Sequence, residues 1–275
     1  MSSTILPIKT PGRIPGHLAN SRNGFSIVEL LVVVAILLII LSILAPALSG
    51  VSAAGRSTQC RSNLRQMAIG ATQYALEYGY FPPAVHGVQV EGAFQIVSWD
   101  WVTTFSGEVL SPGALWQFTD VNDQVFQCPE YHGPPTGDDP FTGYNYNTTY
   151  LGGEGPLISF GDPSGWRDFR PGERYSRCRR TASCAMFGCG GRKGNANKYM
   201  RAPLNTVELN LGLVYSGGQA FRHADQTNVA YIDGHVSSVQ YAYPGTLATD
   251  SLLQEVMGFP QNGFLSNDDR AYNPR

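Results

Sequence analysis

Two histidines and two aspartates near the C-terminus could bind a metal ion or transfer a proton. His223 is followed after nine residues by Asp233 and Gly234, and Asp225 and His235 lie close by in the sequence. Imidazole and carboxylate groups serve as general acids and bases and as metal ligands. These spacings, however, match no common metal motif. We therefore predict a structural motif, in which His223 bonds a backbone carbonyl or the Asp233 carboxylate. A metal or catalytic site is the alternative.

The segments around Asp233 predict a β-hairpin. Residues 227–232 and 235–241 have strand-like composition, and Asp233-Gly234 between them predicts a two-residue type I′ turn. Gly234 can adopt the positive φ that this turn requires without steric cost.

Five cysteines form a second set of candidate residues, because thiols can pair or bind zinc. They are Cys60, Cys128, Cys178, Cys184 and Cys189. An odd number leaves at least one thiol unpaired. Among the last three we expect one disulfide, either Cys178–Cys189 or Cys184–Cys189. Zinc is the less favoured alternative there, because only the Cys184-x4-Cys189 spacing falls within Cys-x2–4-Cys, Cys178-x5-Cys184 does not, and no histidine lies near. We predict no metal centre.

Two groups of polar loop residues are candidates for calcium. Asp120, Asn122 and Asp123 form one group, and Asp138 and Asp139 form the other. Neither group has the full ligand series of a calcium loop with its closing bidentate glutamate. We expect solvated turn acids and no cofactor, with calcium as the alternative.

Sequence motifs of the common enzyme classes are missing from the chain. There is no Gly-x-Ser-x-Gly, no His-Glu-x-x-His, no P-loop and no dinucleotide fingerprint. We therefore expect that the protein is not an enzyme. The net charge of −2 and the lack of a basic run give no reason to expect nucleic acid.

The longest apolar run of the chain carries a carboxylate near its start. Residues 25–48 are long enough to cross a bilayer, which takes about 20 residues, and they include Glu29. A charge at the bilayer centre costs about 2.5–3.5 kcal/mol, so such residues are usually functional. The preceding residues 1–24 contain three basic and no acidic residues. This pattern predicts a cytoplasmic N-terminus and an extracytoplasmic body.

Residues 24–29, Gly-Phe-Ser-Ile-Val-Glu, follow the basic leader directly. The segment resembles the processing signal of type IV prepilins and type II secretion pseudopilins. The resemblance implies that a prepilin peptidase cuts between Gly24 and Phe25, and that the new amine of Phe25 is methylated. The apolar segment then remains as membrane anchor and later as filament core, with Glu29 and Pro46 as assembly residues.

Glu29 lies one helical turn from Phe25, on the same face of the predicted helix. We predict that its carboxylate meets the cationic N-terminus of a neighbouring subunit, which would fix the register of docking because an unpaired charge is costly in low dielectric. The alternative is a glutamate at the headgroup boundary, where its charge costs little.

The helix is predicted to continue beyond the apolar run. Apolar residues recur at helical spacing as Leu64, Met67, Ala68, Ala71, Tyr74, Ala75 and Tyr78. Gly79 and the following prolines should end the helix. From Phe25 to Tyr78 it would be roughly 80 Å long, with Pro46 and Gly50 kinking or loosening it.

Several short motifs follow along the chain. They are residues 60–66, Tyr74, residues 81–83, Trp99, Trp101, residues 125–129, a Tyr/Asn-rich turn at 143–147, and the His223-x9-Asp233-Gly234 box. Together they resemble a pseudopilin-like family with a prepilin N-terminus and a C-terminal His-x9-Asp-Gly box. Cys60 and Cys128 lie in two of these motifs. From the resemblance we expect a Cys60–Cys128 disulfide, worth roughly 4 kcal/mol in the chain-entropy account.

The predicted fold is α+β, with a pilin-like lollipop architecture: a long N-terminal helix packed on a small antiparallel sheet with long loops. The expected divisions are a leader at 1–24, a transmembrane and assembly helix at 25–48, an amphipathic stem at 49–80 and a globular head at 81–275, with the hairpin motif at 223–234.

The predicted function is that of a structural subunit of a type II secretion or type IV pilus-like filament. Its expected partners are prepilin peptidase, other pilin-like subunits and the inner membrane. Its expected location is the bacterial cytoplasmic membrane, crossed once, with the head in the periplasm or on a filament. The alternative is a membrane-anchored binding protein or enzyme that uses the prepilin pathway only for delivery.

Overall fold

The computed structural model describes most of the chain, and the statements below concern this part. The described residues are 24–119, 123–134, 142–153, 171–204 and 217–275. They form one long helix and eleven strands, which confirms the predicted α+β fold class. The chain divides into two compact units, Met1–Ser49 and Gly50–Arg275. The long helix begins in the first unit and ends in the second.

The long helix, α1, runs from Ile27 to Tyr78. It ends where the sequence predicts, because Gly79 adopts a φ of 82° and its N–H donates to the Ala75 carbonyl at 2.9 Å. A glycine in this left-handed conformation is a common helix terminator, since it bears no Cβ that would clash.

In the first unit, residues 27–45 of α1 are apolar around the whole helix except at Glu29 and Ser42. The side chains of residues 25–45 are exposed. Among the described residues, α1 is the one helix that length and composition make able to cross a membrane. Residues 1–23 and the side chain of Pro46 lie outside the described part, so the role expected for Pro46 stays a prediction.

In the second unit, α1 buries one face against the sheets. The buried positions are Cys60, Leu64, Met67, Ala68, Ala71, Tyr74 and Ala75. Their spacing is the one the sequence predicts for an amphipathic helix. Tyr78 differs from the prediction, since 44% of it is exposed and its ring lies 4.6 Å from that of Tyr74 on the last turn.

The first sheet is an antiparallel meander of four consecutive strands. They are β1 (Val85–Val90), β2 (Ala93–Ser98), β3 (Trp101–Thr104) and β4 (Val109–Pro112). β1 and β2 are joined through Glu91 and Gly92, which both have positive φ. Two such residues are the usual connection of a tight hairpin, since their twist matches that of the strands.

The second sheet has seven strands and holds most of the core. They are β5 (Tyr144–Asn147), β6 (Ala185–Gly191), β7 (Tyr199–Met200), β8 (Gly218–Ala220), β9 (Thr227–Tyr231), β10 (Val236–Val239) and β11 (Asn262–Gly263). The order is β10-β9-β6-β5-β7, and β8 pairs with both β6 and β11. The β5–β7 pair is parallel, whereas the other pairs are antiparallel.

The Tyr/Asn-rich segment 143–147 is a buried strand, β5, and not the predicted turn. Its polar side chains are satisfied by backbone groups. The Asn147 amide donates to the carbonyls of Ala185 at 2.7 Å and Tyr272 at 2.8 Å, and the Asn145 amide donates to Gly218 at 3.0 Å. Buried amides with such partners carry no desolvation penalty that would exclude them from a core strand.

The hairpin at the end of the motif differs from the prediction in one detail. β9 and β10 are joined by three residues, 232–234, because the Tyr231 N–H pairs with the His235 carbonyl. Gly234 alone has positive φ, at 85°. The connection is therefore the three-residue type with a glycine bulge, and not a two-residue type I′ turn.

Candidate functional site

Four side chains from distant parts of the chain converge in the core of the second unit. Cys60, Cys128, Cys189 and His223 are all buried, and their ligand atoms lie within 4.8 Å of one another. The sulfur atoms of Cys60 and Cys189 are 3.4 Å apart, and the Cys128 sulfur lies 3.6 Å from Nε2 of His223. We call these four residues the cysteine–histidine cluster.

Each cysteine of the cluster is placed by a different element. Cys60 lies on the buried face of α1. Cys189 lies on β6, directly opposite Tyr144 of β5 in the antiparallel register. Cys128 follows a short helical turn, and its N–H donates to the Thr142 carbonyl at 3.0 Å. The cluster therefore connects the helix, the second sheet and a loop.

His223 is presented by a tight turn that leads into β9. Its N–H and carbonyl both bond with Gln226, at 3.0 and 3.1 Å. The two residues between them, Ala224 and Asp225, have φ values of 50° and 60°. Non-glycine residues seldom adopt positive φ unless the surrounding structure holds them there. The turn directs Nε2 towards Cys128, and Nδ1 of the ring is buried without a hydrogen-bond partner.

One cation lies next to the cluster. The Arg222 guanidinium donates to the carbonyls of Gly143 and Gly190 and lies 5.0 Å from the centre of the Tyr131 ring. These contacts hold a positive charge beside three sulfur atoms. Such a charge stabilises thiolates in a buried environment.

The three thiols differ in acidity. Burial raises the pKa of Cys60 to about 12 and raises the pKa of Cys189 well above its ordinary value. Burial also disfavours the thiolate of Cys128. However, hydrogen bonds with the other two cysteines and with His223, together with the charge of Arg222, bring the Cys128 pKa well below its ordinary value. The cluster therefore favours one thiolate, at Cys128.

Gly143 packs so closely against Cys128 that a side chain at this position would overlap with it. Its φ is 102°, and an added Cβ would lie 2.7 Å from the Cβ of Cys128. We expect Gly143→Ala to lower the free energy of unfolding by about 1–3 kcal/mol more than Gly92→Ala, because of this overlap. Gly92 is a matched control, with a φ of 83° and no atom within 4 Å of the added Cβ. Denaturant unfolding of the detergent-solubilised chain measures both, and equal losses would contradict the prediction.

The predicted Cys60–Cys128 disulfide is absent, since all five cysteines are free thiols in the structure. The sulfur of Cys60 lies nearest to that of Cys189, and Cys128 faces His223. Neither disulfide expected for Cys189 is present either. Cys184 donates to the Tyr272 carbonyl at 2.9 Å, and Cys178 donates to the Arg174 carbonyl at 3.6 Å. Instead of a Cys60–Cys128 disulfide, the structure shows the thiols of Cys60, Cys128 and Cys189 grouped around the His223 imidazole.

The other residues of the His223 motif are not part of the cluster. Asp233 bonds Nδ1 of His235 at 2.6 Å on the surface, and the His235 ring stacks on Tyr231. Asp225 is exposed within the His223 turn. Among the described residues, the His223 ring therefore bonds neither the Asp233 carboxylate nor a backbone carbonyl, so the predicted partners are wrong, whereas the structural role of His223 stays a prediction.

The candidate calcium loops cannot be placed. Asp120, Asn122, Asp138 and Asp139 lie outside the described residues, as does the side chain of Asp123. Calcium binding there stays a prediction.

The start of α1 has a local structure that involves Glu29. Oε2 of Glu29 accepts the Ser26 N–H at 2.8 Å, and Oγ of Ser26 accepts the Val28 N–H at 3.3 Å. This is a capping box, in which the serine and glutamate satisfy N–H groups at the helix start. The Ser-x-x-Glu spacing could have been read from the sequence. The bond uses one carboxylate oxygen, so the other can accept further bonds.

Comparison with known families supports the assignment of a prepilin-type signal at the N-terminus. The family described as "Prokaryotic N-terminal methylation motif" matches residues 19–45. The family described as "Protein of unknown function (DUF1559)" matches residues 52–106. No curated protein and no solved structure matches the chain.

The two matches support a type IV pilin-like protein, and the methylation motif implies processing by a prepilin peptidase. Together with the apolar helix, the motif suggests membrane anchoring. The His223–Gly234 box lies outside both matched segments, so the resemblance based on that box stays a prediction.

Proposed function

We propose that the chain is a structural subunit of a pilin-like filament, either of a type II secretion system or of a type IV pilus-like assembly. The observation that carries the proposal is the N-terminal part of α1. It lies within the matched methylation motif, residues 19–45, and the side chains of residues 25–45 are exposed around the whole helix and apolar except at Ser26, Glu29 and Ser42. A helix that is apolar on all sides requires lipid or other helices around it.

The proposal assigns two successive environments to this helix. Lipid surrounds it while the subunit is anchored in the cytoplasmic membrane, with the rest of the chain in the periplasm. Neighbouring subunits surround it after assembly. The transfer requires little change in apolar burial, because lipid tails and packed helices are similarly apolar.

Glu29 would set the register between neighbouring subunits. Its carboxylate lies four residues after Phe25, whose methylated amine is cationic in the processed chain. Cleavage after Gly24 leaves the Ser26 amide intact, so the capping box survives processing and holds the carboxylate at the helix start. The second oxygen of Glu29 is then available for the amine of a neighbour.

Intact mass of the native protein tests the processing step. We expect the mass of residues 25–275 plus one methyl group, because the peptidase removes the leader and the new amine is methylated. Substitution of Gly24 by a bulky residue such as Leu should leave the full-length mass. A full-length mass for the unaltered chain would contradict the proposal and indicate a plain signal-anchored protein.

A further inference from the structure

We propose that Cys60, Cys128, Cys189 and His223 bind one Zn²⁺ ion in a buried structural site. This inference is independent of the proposed filament function, because it concerns only the fold of residues 50–275. The site would join α1 to the second sheet by metal–ligand bonds.

The distances in the cluster fit a tetrahedral zinc ion. Zn–S bonds of about 2.3 Å and Zn–N bonds of about 2.0–2.1 Å imply S···S edges of about 3.8 Å and S···N edges of about 3.6 Å. The observed Cys60–Cys189 distance is 3.4 Å, and the Cys128–His223 distance is 3.6 Å. All four ligand atoms lie within 4.8 Å of one another, so the space suits a single ion.

The ligand set indicates zinc and a structural role. Three thiolates and one imidazole are a common zinc set, and four protein ligands leave no open position for a substrate. Magnesium and calcium are excluded because they require oxygen ligands. All four side chains are buried, and the most exposed of them, His223, is 6% exposed. Water therefore has little access to the ion.

The charges around the cluster balance once zinc is bound. Three thiolates and Zn²⁺ carry a net charge of −1, which would be costly in a buried site without compensation. Arg222 supplies the opposite charge, and its position is fixed by bonds to the Gly143 and Gly190 carbonyls.

The imidazole supplies an independent argument for a ligand. His223 is buried, and among the described residues its Nδ1 has no hydrogen-bond partner and its Nε2 has one polar contact, the Cys128 sulfur at 3.6 Å. A buried polar ring so weakly paired loses free energy relative to water. A bond from Nε2 to zinc removes that deficit. It also explains why two non-glycine residues are held at positive φ in the turn that presents the ring.

A disulfide between Cys60 and Cys189 is the competing outcome, because their sulfur atoms are the closest pair in the cluster. Such a bond would use two of the four groups and leave Cys128 and His223 without a role. The metal uses all four groups, which is why we favour it.

Metal content of the full-length protein tests the proposal. The chain is purified in detergent without chelators, and its metals are measured by mass spectrometry beside thiol alkylation under non-reducing conditions. We expect about one zinc ion per chain and no disulfide. Cys189→Ser should lose the zinc, whereas Cys178→Ser, outside the cluster, should retain it. A zinc-free protein with a Cys60–Cys189 disulfide would overturn the proposal, as would zinc that persists in Cys189→Ser.

Cobalt substitution keeps the test decisive if Cys189→Ser does not fold. The unaltered chain produced with cobalt in place of zinc should show thiolate-to-cobalt charge-transfer absorption and the intense visible bands of a tetrahedral site. Weak octahedral bands, or no cobalt absorption, would refute a Cys3His site. Iron or copper in place of zinc in the native protein would refute the choice of metal.

Discussion

Glu29→Gln should yield a subunit that is processed normally but fails to assemble. Glutamine at this position still accepts the Ser26 N–H, so the helix start is preserved. In the proposed assembly, the substitution removes only the charge that would pair with the amine of a neighbour. An unpaired buried charge costs about 3–5 kcal/mol, or roughly two to four orders of magnitude in association. Sedimentation of filaments after detergent removal, with the mass of the processed chain as a check, measures the effect.

Ser26→Ala is the matched control for Glu29→Gln. It removes the capping hydroxyl, which costs about 0.5–2 kcal/mol of helix stability, and it retains the Glu29 charge. We expect Ser26→Ala subunits to assemble. If Glu29→Gln assembles as well as the unaltered chain, charge pairing does not set the register. The alternative of an anchored binding protein or enzyme, delivered by the prepilin pathway, then gains support.

Asp100→Asn should cause a large loss of stability through a buried ion pair. Oδ2 of Asp100 lies 2.8 Å from Nζ of Lys198, and the two side chains are 2% and 9% exposed. Asparagine keeps the size of the side chain and can still accept the Trp101 N–H that Oδ1 now accepts. It removes the Asp100 charge from beside the Lys198 ammonium, and breaking such a buried pair costs about 3–5 kcal/mol. Denaturant unfolding of the detergent-solubilised chain measures the loss.

Asp268→Asn provides the comparison for Asp100→Asn. Asp268 pairs with Arg270 at 2.8 Å, but the two side chains are 43% and 69% exposed. A solvent-exposed pair contributes little to stability, and asparagine can still accept the Arg270 N–H that Oδ1 of Asp268 now accepts. We therefore expect little change. Similar losses for both variants would mean that burial does not govern the strength of the Asp100–Lys198 pair.

Local patterns in the sequence were sufficient to predict where α1 ends and which of its faces is buried. The end of the helix at Tyr78 follows from Gly79, and its buried face follows from the spacing of Leu64, Met67, Ala68 and Ala71. Both depend on neighbours within one or two helical turns. The capping box of Ser26 and Glu29 is equally local.

Amino-acid composition gave the wrong secondary structure for one segment whose polar residues are buried. Segment 143–147 has the glycine, asparagine and tyrosine content of a turn, yet its residues 144–147 form the buried strand β5, which lies between β6 and β7. The difference is decided by partners such as the carbonyls of Ala185 and Tyr272, which satisfy Asn147 from 38 and 125 residues away. Secondary-structure propensities are assigned to single residues, so they contain no information about hydrogen-bond partners that lie far away in the sequence.

The processing signal, the apolar helix and the α+β class follow from the amino-acid sequence alone, because patterns of neighbouring residues predict each of them. The cysteine–histidine cluster, in contrast, depends on how distant segments pack. Its members are Cys60, Cys128, Cys189 and His223, and their spacings resemble no metal motif. They meet because α1, β6 and the His223 turn pack around one core. That packing depends on buried contacts between distant segments, and linear spacing does not record which distant segments come into contact.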